Sequence, residues 1–259
     1  MKDLLSSPLL VLSPHPDDAV LSCGGLLVQH SDAVVVTAFS GDAPEPRGPA
    51  LARLAQPALR RTEDARAMEL LGCEHHILGL PDAIDRRDEA GQVIYSSLPE
   101  LFAAVLPADA PRCSEIQAAL KKQIGERVLL CPMGVGAHVD HQLCAHVGRR
   151  LAAEGHSVWF YEDAPYVFPE TGSGLQSDSV ILAARRLRAN IRGTWDLAIS
   201  TSAKEEILAC YSSQIDALFG DILSYSHLAQ EHYESLGGEL ERFYLLRWQG
   251  AVAKESGVF

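Results

Sequence analysis

Short apolar runs recur along this chain with helix-like stretches between them, and that alternation sets the expected fold. Leu9 to Ser13 (LLVLS) is unbroken and reads as a buried strand ending in a polar turn. Ala19 to His30 follows as a helix, with Gly24 and Gly25 permitting close packing on a sheet. Asp32 to Ser40 (DAVVVTAFS) is β-branched and reads as a second buried strand. Gly41 to Pro49 (GDAPEPRGP) holds too much Gly and Pro for a regular element and is expected as a mobile loop beside the first turn, either a plain connection or a lid over substrate. A helix over Pro57 to Leu71 stops at Gly72, and His76 to Leu80 is a third strand leading into a charged loop over Ala83 to Gly91. Helices are expected over Leu98 to Val105 and Cys113 to Ile124, a strand over Arg127 to Cys131, a helix over Val139 to Glu154 and a strand over Ser157 to Glu162. Beyond these the pattern predicts a helix over Ser177 to Asn190, a short strand over Thr194 to Thr201, a helix over Lys204 to Leu218 and a strand over Glu241 to Gln249.

Such alternation implies an α/β, Rossmann-like three-layer fold with a mostly parallel sheet and right-handed crossovers, completed by a C-terminal α+β segment. No repeat, low-complexity tract or linker interrupts it, so residues 1–259 are expected as one domain. No GxGxxG or Walker lysine follows any strand, which argues against a nucleotide-binding Rossmann protein.

Two of the strands end in chemistry. The first runs into Pro14, His15, Pro16, Asp17 and Asp18; the strand at Arg127 to Cys131 runs through a glycine-containing turn into His138, Asp140 and His141. Side chains at strand carboxyl ends project into the crevice where open α/β sheets bind ligands. Neither cluster alone offers three protein ligands for a catalytic zinc, but a histidine and a carboxylate from the first with a histidine from the second do. Adjacent turn residues point in different directions, so one aspartate can share a metal with His15 while the other faces a bound water. An isolated HPDD or HxDH is more often structural; the pair at two strand ends is the signal.

The HPDD and HxDH motifs, so placed, resemble the PIG-L or LmbE-like family of zinc-dependent N-acetylglucosamine deacetylases, and the likeness runs from about Leu9 to the segment Lys204 to Gln214. The resemblance implies a zinc ion, with Fe(II) as an alternative under reducing conditions, held by His15, Asp18 and His141. It implies Asp17 as general base, His138 as the group that stabilises the oxyanion or protonates the leaving amine, and Asp140 as a residue that orients or charges His138. RxxE at Arg60 and Glu63 and GLPD ending in Asp82 are similar to segments that place an arginine and an aspartate at the sugar. YEDAPY, from Tyr161 to Tyr166, and KEEILACYSSQ also look like family segments, the first with no assigned role for its charged residues. Ala19 replaces a glutamate common after HPDD and removes no ligand. Gly134 and Gly136 stand near the place where some members carry an oxyanion tyrosine, whose substitute would come from the Gly41 to Pro49 loop or Tyr166.

Composition narrows the partners. With 47% apolar and 22% charged residues the chain can bury a core. A formal charge of −12 opposes binding to nucleic acid, anionic membranes and polyanionic substrates. Six scattered cysteines without a CxxC pair read as reduced, and no stretch reaches the length of a membrane span or signal peptide, so a cytoplasmic protein is expected. The substrate that the family resemblance implies is a small N-acetylated sugar conjugate. A zinc amidase acting on non-sugar or longer-chain amides is the alternative, and a non-catalytic sugar-binding protein a further one; oligomeric state leaves no mark in the sequence.

Overall fold

The computed structural model describes residues 4–30, 32–42, 56–168 and 178–249. Chain order is β1 (Leu9–Ser13), α1 (Asp18–Gln29), β2 (Val34–Phe39), α2 (Pro57–Leu71), β3 (Glu74–Leu80), α3 (Leu98–Leu101), α4 (Ala110–Gln123), β4 (Val128–Pro132), α5 (Val139–Ala153), β5 (Val158–Tyr161), α6 (Val180–Arg186), β6 (Ala189–Ala198), α7 (Thr201–Leu208), α8 (Ser212–Leu218), α9 (Ile222–Leu236) and β7 (Leu240–Trp248). The sheet has seven strands in the order β3-β2-β1-β4-β5-β7-β6. The first five run parallel, while β7 is antiparallel to both β5 and β6.

Every residue of β1, β2, β4 and β5 is buried, which explains why they read as continuous apolar runs: both faces of the sheet are covered. Along β1, Leu10 and Leu12 enter one core with α4, α5 and α6, while Leu9 and Val11 enter the other with α1, α2 and α7 to α9. Each such side chain contributes roughly 1.5–3 kcal/mol on burial. β1 lies between β2 and β4, with Val11 paired to Val35 on one side and to Leu130 on the other. The chain therefore leaves β1 in one direction and returns on its opposite side, and the carboxyl ends of β1 and β4 flank the resulting crevice. The two polar clusters, far apart in sequence, are delivered to that one place.

The C-terminal third is tied to this centre. Glu241 on β7 is 4% exposed. It accepts the backbone N–H groups of Gly25 (2.7 Å) and Leu26 (2.9 Å) on α1 and the Lys204 ammonium (2.9 Å). That approach needs glycine at 25, where a Cβ would fall 2.3 Å from Ile199.

Several elements differ from the sequence pattern. The helix expected from Ser177 to Asn190 is shorter, Val180–Arg186, because the chain enters β6 at Ala189; the strand expected over Thr194 to Thr201 is the later part of β6. Lys204 to Leu218 is two helices separated by a 3-10 turn at Ala209–Tyr211, where the Tyr211 hydroxyl reaches Asp64 (2.7 Å) and Glu63 accepts the N–H of Ser213 (2.9 Å). Leu98 to Val105 keeps only one helical turn, and α9 falls where no element was assigned. The expected mobile segment after Asp42 lies outside the described residues.

Candidate metal centre and active site

The turn after β1 is held by short-range bonds. The Ser13 hydroxyl donates to the His15 carbonyl (2.6 Å) and accepts the Ala19 N–H (3.0 Å), and the Asp18 carboxylate accepts the His15 N–H (2.8 Å). Asp17 adopts φ 115°, a conformation non-glycine residues rarely take and one that costs ~1–3 kcal/mol. It is the N-cap of α1, where the chain turns from the sheet into the helix.

His15, Asp18 and His141 come together at the crevice. Asp18 Oδ2 lies 3.1 Å from His15 Nδ1 and 3.2 Å from His141 Nε2. Ligand atoms ~2.0–2.1 Å from a tetrahedral ion stand ~3.3 Å apart, so this spacing fits a metal. A second observation agrees. His141 Nε2 is buried without a hydrogen-bond partner among the described residues, while its Nδ1 is fixed 2.7 Å from Asp163 Oδ1. His15 is held likewise, its Nε2 3.0 Å from Asp140 Oδ2. A histidine with one nitrogen fixed by a carboxylate and the other turned to a shared point is the usual form of a metal-ligating imidazole. His15, His138 and Asp140 form another set of donors lying within 4.8 Å. There, however, the carboxylate is already engaged by Arg86 and by the Ala83 N–H (3.1 Å).

Electrostatics follow from burial. Asp17 is 4% exposed; desolvation pushes its pKa up to about 7 against the pull of Arg60, with Asp18 adding to the rise. For Asp18, burial opposes ionisation, yet His141 and His15 outweigh it and hold the carboxyl well below the usual range. Burial likewise opposes charge on His141, but Asp18 and Asp163 raise it to about 9. His138 is driven well below its ordinary value by burial and by the other two histidines.

His138 caps α5, its Nδ1 accepting the Asp140 N–H (3.3 Å). That backbone N–H makes the hydrogen bond between Asp140 and His138, and an Asp140 carboxylate oxygen also lies within 4.8 Å of a His138 ring nitrogen. The Asp140 carboxylate faces His15 Nε2 at 3.0 Å and accepts from Arg86. Arg60 bridges two carboxylates, with Nη2 3.4 Å from Asp17 Oδ2 and Nη1 4.0 Å from Asp82 Oδ2. Arg60 and Asp82 line a cleft with Pro16, Phe39, Ser40, Gly41 and Pro57. Glu63, paired with Arg60 in the sequence motif, points elsewhere and caps α8 through Ser213. Tyr166 packs its ring 5.3 Å from that of His141, in the space a Cβ on Gly136 would take.

Two residues of the site escaped the sequence reading. Asp163 sits in YEDAPY directly after β5, and its place at the end of the strand beside β4 was a usable signal. Arg86 lies in a charged loop where nothing distinguishes it from its solvated neighbours.

The PIG-L model, described as GlcNAc-PI de-N-acetylase, matches residues 10–152, which include both clusters. The chain is 35% identical over 167 residues to the 2'-N-acetylparomamine deacetylase of Streptomyces fradiae, a match covering 61% of this chain and 57% of that protein. The match thus spans little more than half of that relative. It is 27% identical over 242 residues, 82% of each chain, to the 2'-N-acetylparomamine deacetylase of Niallia circulans. In fold it is similar to the zinc-inhibited form of the teicoplanin deacetylase Orf2, with TM-score 0.76 at 22% identity over 94% of this chain and 99% of that one. Because the matched family segment takes in more than half of the chain and both strand-end clusters, the chain belongs to the PIG-L, GlcNAc-PI de-N-acetylase, family.

Proposed function

We propose that this protein is a zinc-dependent N-deacetylase that hydrolyses the acetamide of an N-acetylglucosamine-type sugar conjugate. The observation that carries the reading is the convergence of His15 Nδ1, Asp18 Oδ2 and His141 Nε2 with a buried carboxylate, Asp17, next in the chain. Zinc held by those three residues supplies a Lewis acid for the amide carbonyl and acidifies water toward pKa ~7, with Fe(II) the alternative ion for the same mixed donor set. Asp17 is the general base, taking the water proton and passing it to the leaving amine. Arg60 fixes its orientation from 3.4 Å. Because His138 Nδ1 accepts the Asp140 N–H, the neutral ring carries its proton on Nε2 and offers it to the oxyanion. In this reading Asp140 acts on His15 rather than on His138.

Arg60 and Asp82 hydrogen-bond the sugar hydroxyls from the adjoining cleft. A hydroxylated ring offers donors and acceptors that a guanidinium and a carboxylate can read together. The names of the two matched relatives, each a 2'-N-acetylparomamine deacetylase, support an N-acetylated substrate, and a formal charge of −12 disfavours a polyanionic one. All six cysteines are free, in keeping with a cytoplasmic protein, and no helix among the described residues is long and apolar enough to cross a membrane.

The test is an amine-release screen over N-acetylated amino sugars and their conjugates, with N-acetylated amino acids and longer N-acyl amides as controls. Turnover is expected on the sugar conjugates. Turnover confined to non-sugar amides would replace this reading with the amidase one.

A further inference from the structure

Arg86 is 1% exposed, and a guanidinium so placed needs its charge and its donors matched. It lies over the rings of Phe39 and Tyr95, 4.9 Å and 5.6 Å from their centroids. Nη1 donates to Asp109 Oδ2 at 2.9 Å, and Nη2 donates to Asp140 Oδ1. The far side is anchored as well. The Tyr95 hydroxyl donates to the same Asp109 oxygen (2.8 Å) and accepts the Leu106 N–H (3.1 Å). On the near side, Asp140 Oδ2 accepts the Ala83 N–H and faces His15 Nε2 at 3.0 Å. A continuous buried chain thus runs from Tyr95 through Asp109, Arg86 and Asp140 to His15.

We infer that Arg86 is a positioning residue for the metal centre, an inference that rests on the metal reading of His15, Asp18 and His141. Through Asp140 it fixes the His15 ring with Nδ1 turned toward Asp18. It also decides between the two donor sets that share His15. With its charge matched by Arg86 and one oxygen engaged by the Ala83 amide, the Asp140 carboxylate is withheld from a cation at His15 and His138. The ion is left to the set that contains Asp18 and His141, whose Nε2 is buried without a hydrogen-bond partner among the described residues. A purely structural tie between the loop after β3 and α5 would need the Arg86–Asp140 pair but not the bond onward to His15.

The experiment titrates chelator-stripped protein with Zn2+ against a competing chromophoric chelator and records the visible spectrum at saturating Co2+. It compares wild type, Arg86→Met, Arg86→Lys and His141→Ala. Arg86→Met is expected to bind Zn2+ roughly 10- to 100-fold more weakly, the scale of losing an outer partner of a ligand, with an altered Co2+ spectrum. Arg86→Lys, which keeps a cation beside Asp140, recovers part of that loss. Should Arg86→Met not fold, Tyr95→Phe loosens the guanidinium from its far side and is expected to weaken Zn2+ roughly 2- to 10-fold. Folded Arg86→Met, or Tyr95→Phe in its place, with wild-type affinity and spectrum and only a lowered Tm, overturns the inference. Wild type and His141→Ala binding alike would instead overturn the metal reading on which it rests.

Discussion

Gly134 and Gly136 offer a controlled measure of how tightly the turn before His138 is packed. Their φ angles are 79° and 80°, so replacing either by alanine incurs similar backbone strain, ~1–2 kcal/mol. Their surroundings differ. A Cβ at Gly134 meets nothing closer than Ala145 Cβ at 3.6 Å, an ordinary contact. At Gly136 it would sit 2.3 Å from Tyr166 Cγ and 2.4 Å from Cδ1, so the ring or the turn must move, adding ~1–3 kcal/mol of overpacking. Gly136→Ala should therefore cost ~2–5 kcal/mol and Gly134→Ala ~1–2 kcal/mol, read from urea midpoints at constant m. At roughly 2–4 °C per kcal/mol for a chain of this size, the difference is visible in Tm as well. Tyr166→Ala in the Gly136→Ala background should relieve the ring's share of the overlap, leaving only the residue 166 Cβ at 2.6 Å, and give a coupling energy of ~1–3 kcal/mol. Because Tyr166 packs on His141 and the turn carries His138, the Gly136 variant should also lose kcat by more than its stability loss explains. Equal destabilisation by the two substitutions, or additivity with Tyr166→Ala, would refute the packing argument.

Asp17→Asn should retain Zn2+ while kcat falls roughly 10²-fold or more, the scale of a lost general base; metal loss equal to that of Asp18→Ala would show the two aspartates exchanged. His146, half-buried on α5, is held down to about 4 by burial and by Arg149, Arg150 and Arg188. As pH falls from ~6.5 to about 4 the unfolded chain takes up a proton that the folded chain refuses, so stability falls across that window by up to ~3 kcal/mol. Urea titrations of His146→Gln and wild type at pH 7 and pH 4 should show the variant losing less, and parallel losses would contradict this.

How much of this was legible in the sequence depended on burial. β1, β2, β4 and β5 are covered on both faces, so hydrophobicity alone marked them, and the two motifs at their ends marked the crevice. β6 is an edge strand with most residues exposed or half-buried, and it offered neither an apolar run nor clean alternation. The buried stripe of α9 consists of Tyr225, Ala229 and Tyr233, whose spacing is helical but whose tyrosines blur the hydrophobic signal. The break inside KEEILACYSSQ is tertiary in origin, set by Asp64 and Glu63 on α2. For the same reason sequence spacing led from Asp140 to His138, three-dimensional spacing to His15.

The charges at the centre also account for the scattered family-like segments. Asp17, Asp18, Asp140 and Asp163 are all buried, and the permanent positive charges facing them in the contacts above are Arg60 and Arg86. Buried carboxylates in such excess are costly unless a further cation compensates them. A divalent ion held by His15, Asp18 and His141 would do so where His141 Nε2, which has no hydrogen-bond partner among the described residues, and His15 Nδ1 converge on one Asp18 oxygen. Each remote segment then has a physical reason to be there. RxxE brings the guanidinium that holds Asp17, and YEDAPY brings the carboxylate that holds His141. KEEILACYSSQ receives Glu63 and joins Lys204 to Glu241, locking α1, whose first turn contains Asp18, onto the sheet. The loop after β3 supplies Arg86 for the same purpose at His15, and both histidines of the proposed ligand set are thereby fixed from behind by carboxylates that belong to other elements.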